Sequence, residues 1–213
     1  MEAPGTTAAS TGEGTWVLAT RNAGKVAELR RILAAAGIGV TLRGLDELAR
    51  YDEPAETGAT FTENALIKAR ACVAATGLTA VADDSGLAVD ALNGMPGVLS
   101  ARWAGRHGDD EANLRLLLGQ LADIPEGRRG AAFVCAAALV TPAGAEWTVD
   151  ARWRGRLTGE PLGHNGFGYD PIFVPDGDTR TSAQLEPAEK DAASHRGQAF
   201  RALAARVAAA RAS

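Results

Sequence analysis

Long apolar runs are missing from this chain: no stretch approaches the roughly 18 consecutive apolar residues of a membrane span, so no membrane partner is expected. The first residues also lack a basic segment followed by an apolar core, which argues against an export signal. Cysteine is scarce. Cys72 and Cys135 show no C-x-x-C spacing, which disfavours a zinc site and a disulfide framework and makes a reducing cytoplasm the expected compartment. Cationic excess is missing too. Lys plus Arg number 22 against 26 Asp plus Glu, a formal charge of -4, so there is no global basic footprint for nucleic acid and any phosphate must be held locally. Neither an internal repeat nor a long linker interrupts the chain.

What is present suits one folded unit. The 213 residues are 46% hydrophobic and 23% charged, which argues against disorder. A chain of this size buries about 70% of its unfolded surface without cross-links. Residues 1–14 (MEAPGTTAASTGEG) carry no large apolar side chain and predict a loose tail. Residues 15–213 are expected to form a single α/β domain, with two lobes around a cleft.

The apolar run Trp16 to Thr20 leads through Arg21 to Lys25 into a helical pattern of Val26, Leu29, Ile32 and Leu33, with Asn22 as N-cap and Gly37 as stop. A strand near Val40 to Leu42 completes a βαβ opening. Thr60 and Glu63 match a capping box for a helix running to about Thr76. Leu78 to Ala82 predicts a buried strand that ends at Asp83-Asp84-Ser85-Gly86. Asp109 or Asp110 caps a helix containing Leu114, Leu117, Leu118 and Leu121, and Ala131 to Val140 with Glu146 to Trp153 predicts an antiparallel pair. The glycine-rich loop Gly163 to Asp170 precedes a short strand, and Ser194 to Arg211 predicts a final helix.

Several segments have residue types suited to chemistry, each with a plainer reading beside it. Thr20 to Lys25 (TRNAGK) gathers a lysine and free backbone N–H groups at a helix start, where the dipole favours an anion. It is not a P-loop, because Ala19 and Val26 stand where that motif needs glycine and Ser or Thr; a capped helix with a solvated lysine remains open. Asp83 and Asp84 are costly to desolvate unless donors or a hard cation such as Mg²⁺ compensate them, and strand alternation sends them to opposite sides. An Asp-rich turn is the alternative. Glu56, in the acidic loop, is a candidate for the same cation, against a solvated loop acid. Asn64 and Lys68 are four apart and share a helix face. The order G-x-x-G-x-G in Gly163 to Gly168 is not a dinucleotide fingerprint; Phe167 and Tyr169 offer aromatic faces for a base, with Asp170 beside them. Lys190, Ser194, His195 and Arg196 bring donors to the last helix start. No Ser-His-Asp elbow surrounds Ser85.

In combination and in order, TRNAGK, ETG with TFTENALIKAR, ADDSGLAVDALNGMPGVLSARW, GFGYDPIF and AEKDAASHRGQA resemble the inosine triphosphate pyrophosphatase family. The resemblance spans nearly everything from Trp16 onward. It implies an elongated mixed β-sheet flanked by helices, a homodimer, and Mg²⁺-dependent hydrolysis of ITP, dITP and XTP to the monophosphate and pyrophosphate. It implies that Thr20, Arg21, Asn22, Ala23, Gly24 and Lys25 hold the triphosphate. Asp84 is implied as catalytic residue and metal ligand, with Glu56 as second ligand and Lys68 as a phosphate contact. Ser85, Phe167, Gly168, Tyr169, Asp170, Lys190, His195 and Arg196 are implied to bind substrate. Two positions depart from many relatives: Arg21 replaces a small residue, and Ala55 precedes Glu56 where a second acid is common. A related pyrophosphatase with another base preference, or a non-catalytic nucleotide-binding module, are the rival readings.

Overall fold

The computed structural model describes residues 14–35, 37–48 and 51–212, so the tail expected over residues 1–14 lies, apart from Gly14, outside the described residues. Strand β1 (Thr15–Leu18) turns into helix α1 (Ala23–Ala35) and returns as β2 (Thr41–Gly44). Asn22 caps α1 by accepting the Lys25 N–H at 3.2 Å, and Gly37, at φ +66°, ends it. Helix α2 (Phe61–Thr76) starts where Thr60 Oγ1 accepts the Glu63 N–H at 3.1 Å. The Glu63 carboxylate reaches back to the Ala59 N–H at 2.7 Å, one residue earlier than a standard capping box. Strands β3 (Thr79–Val89), β4 (Gly130–Val140) and β5 (Glu146–Leu157) form an antiparallel meander, with α3 (Asp110–Gln120) between β3 and β4. The short strand β6 (Phe173–Pro175) and helices α4 (Pro187–Ala193) and α5 (His195–Ala212) follow.

The sheet order is β2-β1-β3-β4-β5-β6, parallel on the β1 side and antiparallel beyond β3. One expectation about this sheet is corrected. Asp83-Asp84-Ser85-Gly86 is not a strand end or a turn but the middle of β3, which pairs with β4 from Ala80↔Val140 to Val89↔Ala131. The almost wholly apolar β4 supplies an uninterrupted ladder, and its hydrogen bonds outcompete the local Asp-to-backbone bonds that would have made a turn.

By contrast, β1 pairs with β3 only from Trp16↔Thr79 to Leu18↔Val81, closing with Ala19 N–H to Val81 C=O at 2.8 Å. The chain then leaves the sheet to start α1. Beyond Val81, β3 has no strand partner on its β1 side among the described residues, and side chains from both of its faces reach the same opening.

The core follows from this geometry. On one face, Leu18, Val81, Cys135 and Leu139 pack with α1 and α5, while further along Leu87, Val89, Phe133 and Trp153 pack with Phe173 and α3. Asp83 and Ser85 occupy the same face of β3 between those two clusters, which form the two lobes. On the opposite face Ala80, Ala82, Ala136 and Ala138 pack against α2.

The turn Gly97–Arg102 packs tightly on β3. Ser100 Oγ accepts the Leu87 N–H at 2.9 Å and donates to Gly97 C=O at 2.6 Å. A Cβ on Gly86 would come within 2.4 Å of Ser100 Oγ and 2.5 Å of the Gly97 carbonyl, whereas one on Gly119 in α3 would meet nothing within 4 Å. Gly86→Ala is expected to cost about 1–3 kcal/mol by overpacking, and Gly119→Ala to leave stability unchanged or slightly raised. Urea denaturation of both variants checks this; equal midpoints would show that the Gly97–Arg102 turn yields freely.

Candidate active site

A cleft of about 390 Å³ opens where β1 ends. The β1–α1 turn contributes Thr20, Asn22 and Lys25, the acidic loop Glu53 and Glu56, α2 Lys68, and β3 Asp83, Asp84 and Ser85. The far wall brings Phe167, Gly168, Tyr169, Asp170, Lys190, His195 and Arg196. Three residues expected to hold phosphate do not line it. Arg21 turns to the acidic loop, donating from Nε to Glu53 at 2.5 Å and from a terminal nitrogen to the Tyr51 carbonyl at 3.1 Å, because those acceptors lie beside it. Ala23 and Gly24 are exposed in the first turn of α1.

The two adjacent aspartates face opposite sides and meet different partners. Asp83 is 4% exposed, and its Oδ2 accepts from Lys25 Nζ at 3.1 Å, Ser85 Oγ at 2.9 Å and Arg196 Nε at 3.2 Å. Burial alone would raise the Asp83 carboxyl, but the charges of Lys25, Arg196 and Lys68 hold it well below the usual carboxylate range. Arg196 also donates to Glu28 at 2.7 Å. Burial works against its charge, yet Asp83 and Glu28 raise it further.

Asp84 forms a second cluster. Its Oδ1 accepts from Lys68 Nζ at 3.1 Å and its Oδ2 from Asn64 Nδ2 at 3.0 Å. The same ammonium donates to Glu56 Oε1 at 3.0 Å, while Arg102 donates to Glu56 Oε2 at 3.2 Å. Burial raises the Asp84 carboxyl above its ordinary value, opposed by Lys68 and reinforced by the charge of Glu56. Burial would likewise raise Glu56, but Lys68 and Arg102 together bring it down. Desolvation would lower Lys68; Asp84, Asp83 and Glu56 keep it raised and charged. Asp84 and Glu56 supply hard oxygen donors, and Asp84 is the less neutralised of the two. Among the described residues no group of three or more His, Cys, Asp or Glu is placed to hold a metal, so a cation here would complete its shell with water or ligand oxygens.

At the far end, Asp170 is consumed internally. It accepts from the Phe167 N–H at 2.8 Å and Ser182 Oγ at 2.8 Å, and pairs with Lys190. Its carboxylate shapes the loop. Tyr169 buries its ring and donates to the Ser100 carbonyl at 2.9 Å, leaving Phe167, 44% exposed, as the open aromatic face. Lys190 Nζ and Arg196 Cζ stand 5.5 and 5.6 Å from the Phe167 centroid. His195 is buried and stacked on Phe133, centroids 4.9 Å apart, and its Nδ1 has no hydrogen-bond partner among the described residues. Burial, then the charges of Arg196 and Lys190, push its pKa well below 6.5, so the imidazole is neutral.

Sequence reading singled out Asp83 beside Asp84 and Asn64 beside Lys68, but assigned no site role to Glu28, Arg102, Asp110 or His107. Glu28 lies one turn after Lys25, so helical spacing was an available signal for it. Asp110, which accepts the Gly168 N–H at 2.9 Å, had none, since its partner is 58 residues away.

A model of the Ham1 family matches residues 16–206. The chain belongs to the Ham1 family. This agrees with the resemblance drawn from its motifs. A dITP/XTP pyrophosphatase of Nocardia farcinica is 65% identical over 188 residues, covering 88% of this chain and 91% of that protein. The crystal structure of the nucleoside-triphosphatase / dITP/XTP pyrophosphatase from Mycobacterium abscessus is 62% identical with a TM-score of 0.73, covering 89% of this chain and 98% of that one. A HAM1 protein from Coxiella burnetii superposes with a TM-score of 0.81 at 41% identity, covering 91% and 98%.

The neutral His195 of this Ham1 protein has a measurable consequence. Unfolded, the imidazole titrates near about 6.5; folded, it titrates well below. Its contribution to stability is complete above the unfolded value and is lost as pH falls below it, by up to about 1.4 kcal/mol per pH unit until the native imidazole also protonates. Urea denaturation across that interval should show a steeper acid-side loss in the parent than in His195→Gln. Parallel curves would mean that folding leaves the proton affinity of the imidazole unchanged.

Proposed function

We propose that this Ham1-family protein is a nucleoside-triphosphate pyrophosphatase that hydrolyses dITP, ITP and XTP to the monophosphate and pyrophosphate, removing deaminated purines from the nucleotide pool. The observation that carries the reading is a single cleft with Asp84, Glu56 and Lys68 at one end and Arg196, His195 and Phe167 at the other. The names of the Nocardia and Mycobacterium relatives, both dITP/XTP pyrophosphatases, support dITP and XTP. From the family resemblance we also infer Mg²⁺ as cofactor, a homodimer, and action in the cytoplasm.

The residues present fit a hard divalent cation: Asp84 and Glu56 would hold it, through the carboxylate oxygens now shared by Lys68. When bound, Mg²⁺ supplies charge neutralisation on the triphosphate oxygens. In the proposed reaction a water oxygen bonds to the α-phosphorus, and the bond from that phosphorus to the oxygen bridging it to the β-phosphorus breaks, releasing pyrophosphate. Asp84 orients the attacking water, whose proton passes to solvent as the new bond forms. Lys25 and Lys68 answer the charge gathering on the departing pyrophosphate, and the N-terminus of α1 adds its dipole.

Base selection falls to the other end. Phe167 offers the stacking face. Arg196 has Nε and one terminal nitrogen committed to Asp83 and Glu28, which fixes the guanidinium and leaves the second terminal nitrogen as donor for a purine 6-oxygen. Adenine presents an amino group there, and each donor left unpaired costs about 1–3 kcal/mol.

Assay of pyrophosphate release with Mg²⁺ should give rapid turnover of ITP, dITP and XTP, with kcat/KM for ATP lower by roughly 10- to 100-fold. Equal rates for ITP and ATP would discard the base-recognition reading. Asp84→Asn should lower kcat by about 10²–10⁴ while circular dichroism shows an intact fold. Near-parental turnover in that variant would remove Asp84 from the chemistry.

A further inference from the structure

The Asp84–Glu56 pair has a construction that the phosphate-contact role of Lys68 leaves unexplained. Each carboxylate has one oxygen tied back by a fixed donor: Asp84 Oδ2 by Asn64 at 3.0 Å, and Glu56 Oε2 by Arg102 at 3.2 Å. The two remaining oxygens, Asp84 Oδ1 and Glu56 Oε1, converge on one point, and the Lys68 ammonium occupies it at 3.1 and 3.0 Å. The lysine side chain is only 14% exposed, so solvent does little to screen it.

A Mg²⁺ ion reaching those oxygens at about 2.1 Å would lie in direct contact with the ammonium, and two desolvated positive charges at that separation repel strongly. Both cannot hold the pair together. Lysine suits an exchangeable role, being a compact charge on a flexible four-carbon stem that forms no bidentate fork with its acceptors.

We propose that Lys68 is a stand-in cation: its ammonium fills the divalent-metal position between Asp84 and Glu56 in the free protein and gives it up only when an incoming triphosphate offers the ammonium another anion. Metal and nucleotide then enter together, and the free protein holds metal weakly. This rests on the metal assignment made above for the same two carboxylates. Lys68 thereby sets the order of binding, a role separate from any contact it makes to phosphate during turnover.

The probe is Mn²⁺, followed by electron paramagnetic resonance on the full chain, with and without an ITP analogue whose α–β bridging oxygen is replaced by methylene. Without nucleotide, Lys68→Met should bind Mn²⁺ at least tenfold more tightly than the parent, and Lys68→Arg, which keeps the charge, should stay as weak as the parent. With the analogue, the parent should gain at least tenfold in Mn²⁺ affinity. If parent and Lys68→Met bind Mn²⁺ equally well without nucleotide, at a site lost in Glu56→Gln, the stand-in role is overturned and the metal assignment stands. If neither binds Mn²⁺ with or without the analogue, the metal assignment itself fails and the inference with it.

A measurement on the parent protein covers the case in which Lys68→Met does not fold. The ¹⁵N resonance of the Lys68 ammonium should move when Mg²⁺ and analogue are added together and stay in place with millimolar Mg²⁺ alone. Movement with Mg²⁺ alone would overturn the proposal.

Discussion

Two carboxylates, side by side in the chain and buried in the middle of a strand, must be neutralised from opposite faces of the sheet. That requirement organises the molecule. Asp83 draws Lys25 from α1 and Arg196 from α5, while Asp84 draws Lys68 and Asn64 from α2. Leaving a buried charge unpaired costs roughly 3–5 kcal/mol, enough to unfold many marginally stable domains. The helices on both faces are therefore held in register with β3 by electrostatics as well as by packing. The binding residues they carry arrive in one place as a result.

The short β1 completes the arrangement. Had it continued alongside β3, a strand would cover the edge through which Asp83 and Asp84 both reach the cleft. Instead the chain turns at Thr20 to Asn22, and the Asn22 cap commits it to α1. Ending one strand early thus creates the opening and also puts Thr20, Asn22 and Lys25, at the start of α1, on its wall. The opposite wall is rigid for a different reason. Asp170 ties Phe167, Ser182 and Lys190 into one unit, and the Gly168 N–H is anchored to Asp110 at the start of α3.

Arg196 illustrates how burial changes what a charged residue does. Between Asp83 and Glu28 its charge is already balanced, so it serves as a fixed donor rather than as a free cation for phosphate. Lys25 and Lys68 also begin paired, but lysine can exchange partners more readily than a forked guanidinium. The cleft thus combines mobile ammonium groups near the carboxylates with a locked guanidinium beside the exposed aromatic ring.

Signals that act within a turn or two were legible in the amino-acid order alone. Asn22 and Thr60 set helix starts, Gly37 set a helix end, and the β4–β5 pair followed from the apolar runs Ala131 to Val140 and Glu146 to Trp153. The opposed directions of Asp83 and Asp84 followed from strand alternation, and the combined motifs identified the family. Tertiary structure decided the rest. An Asp-Asp-Ser-Gly segment has strong local reasons to turn, and only the ladder offered by β4, some fifty residues later, made it strand. Arg21 left the cleft because Glu53 and the Tyr51 carbonyl happen to lie beside it once the loops are packed. Glu28 and Arg196 stand 168 positions apart, and no local pattern links them. Hydrogen bonds to a neighbouring turn are written into nearby residues, whereas the pairing of buried charges depends on which surfaces the core brings together.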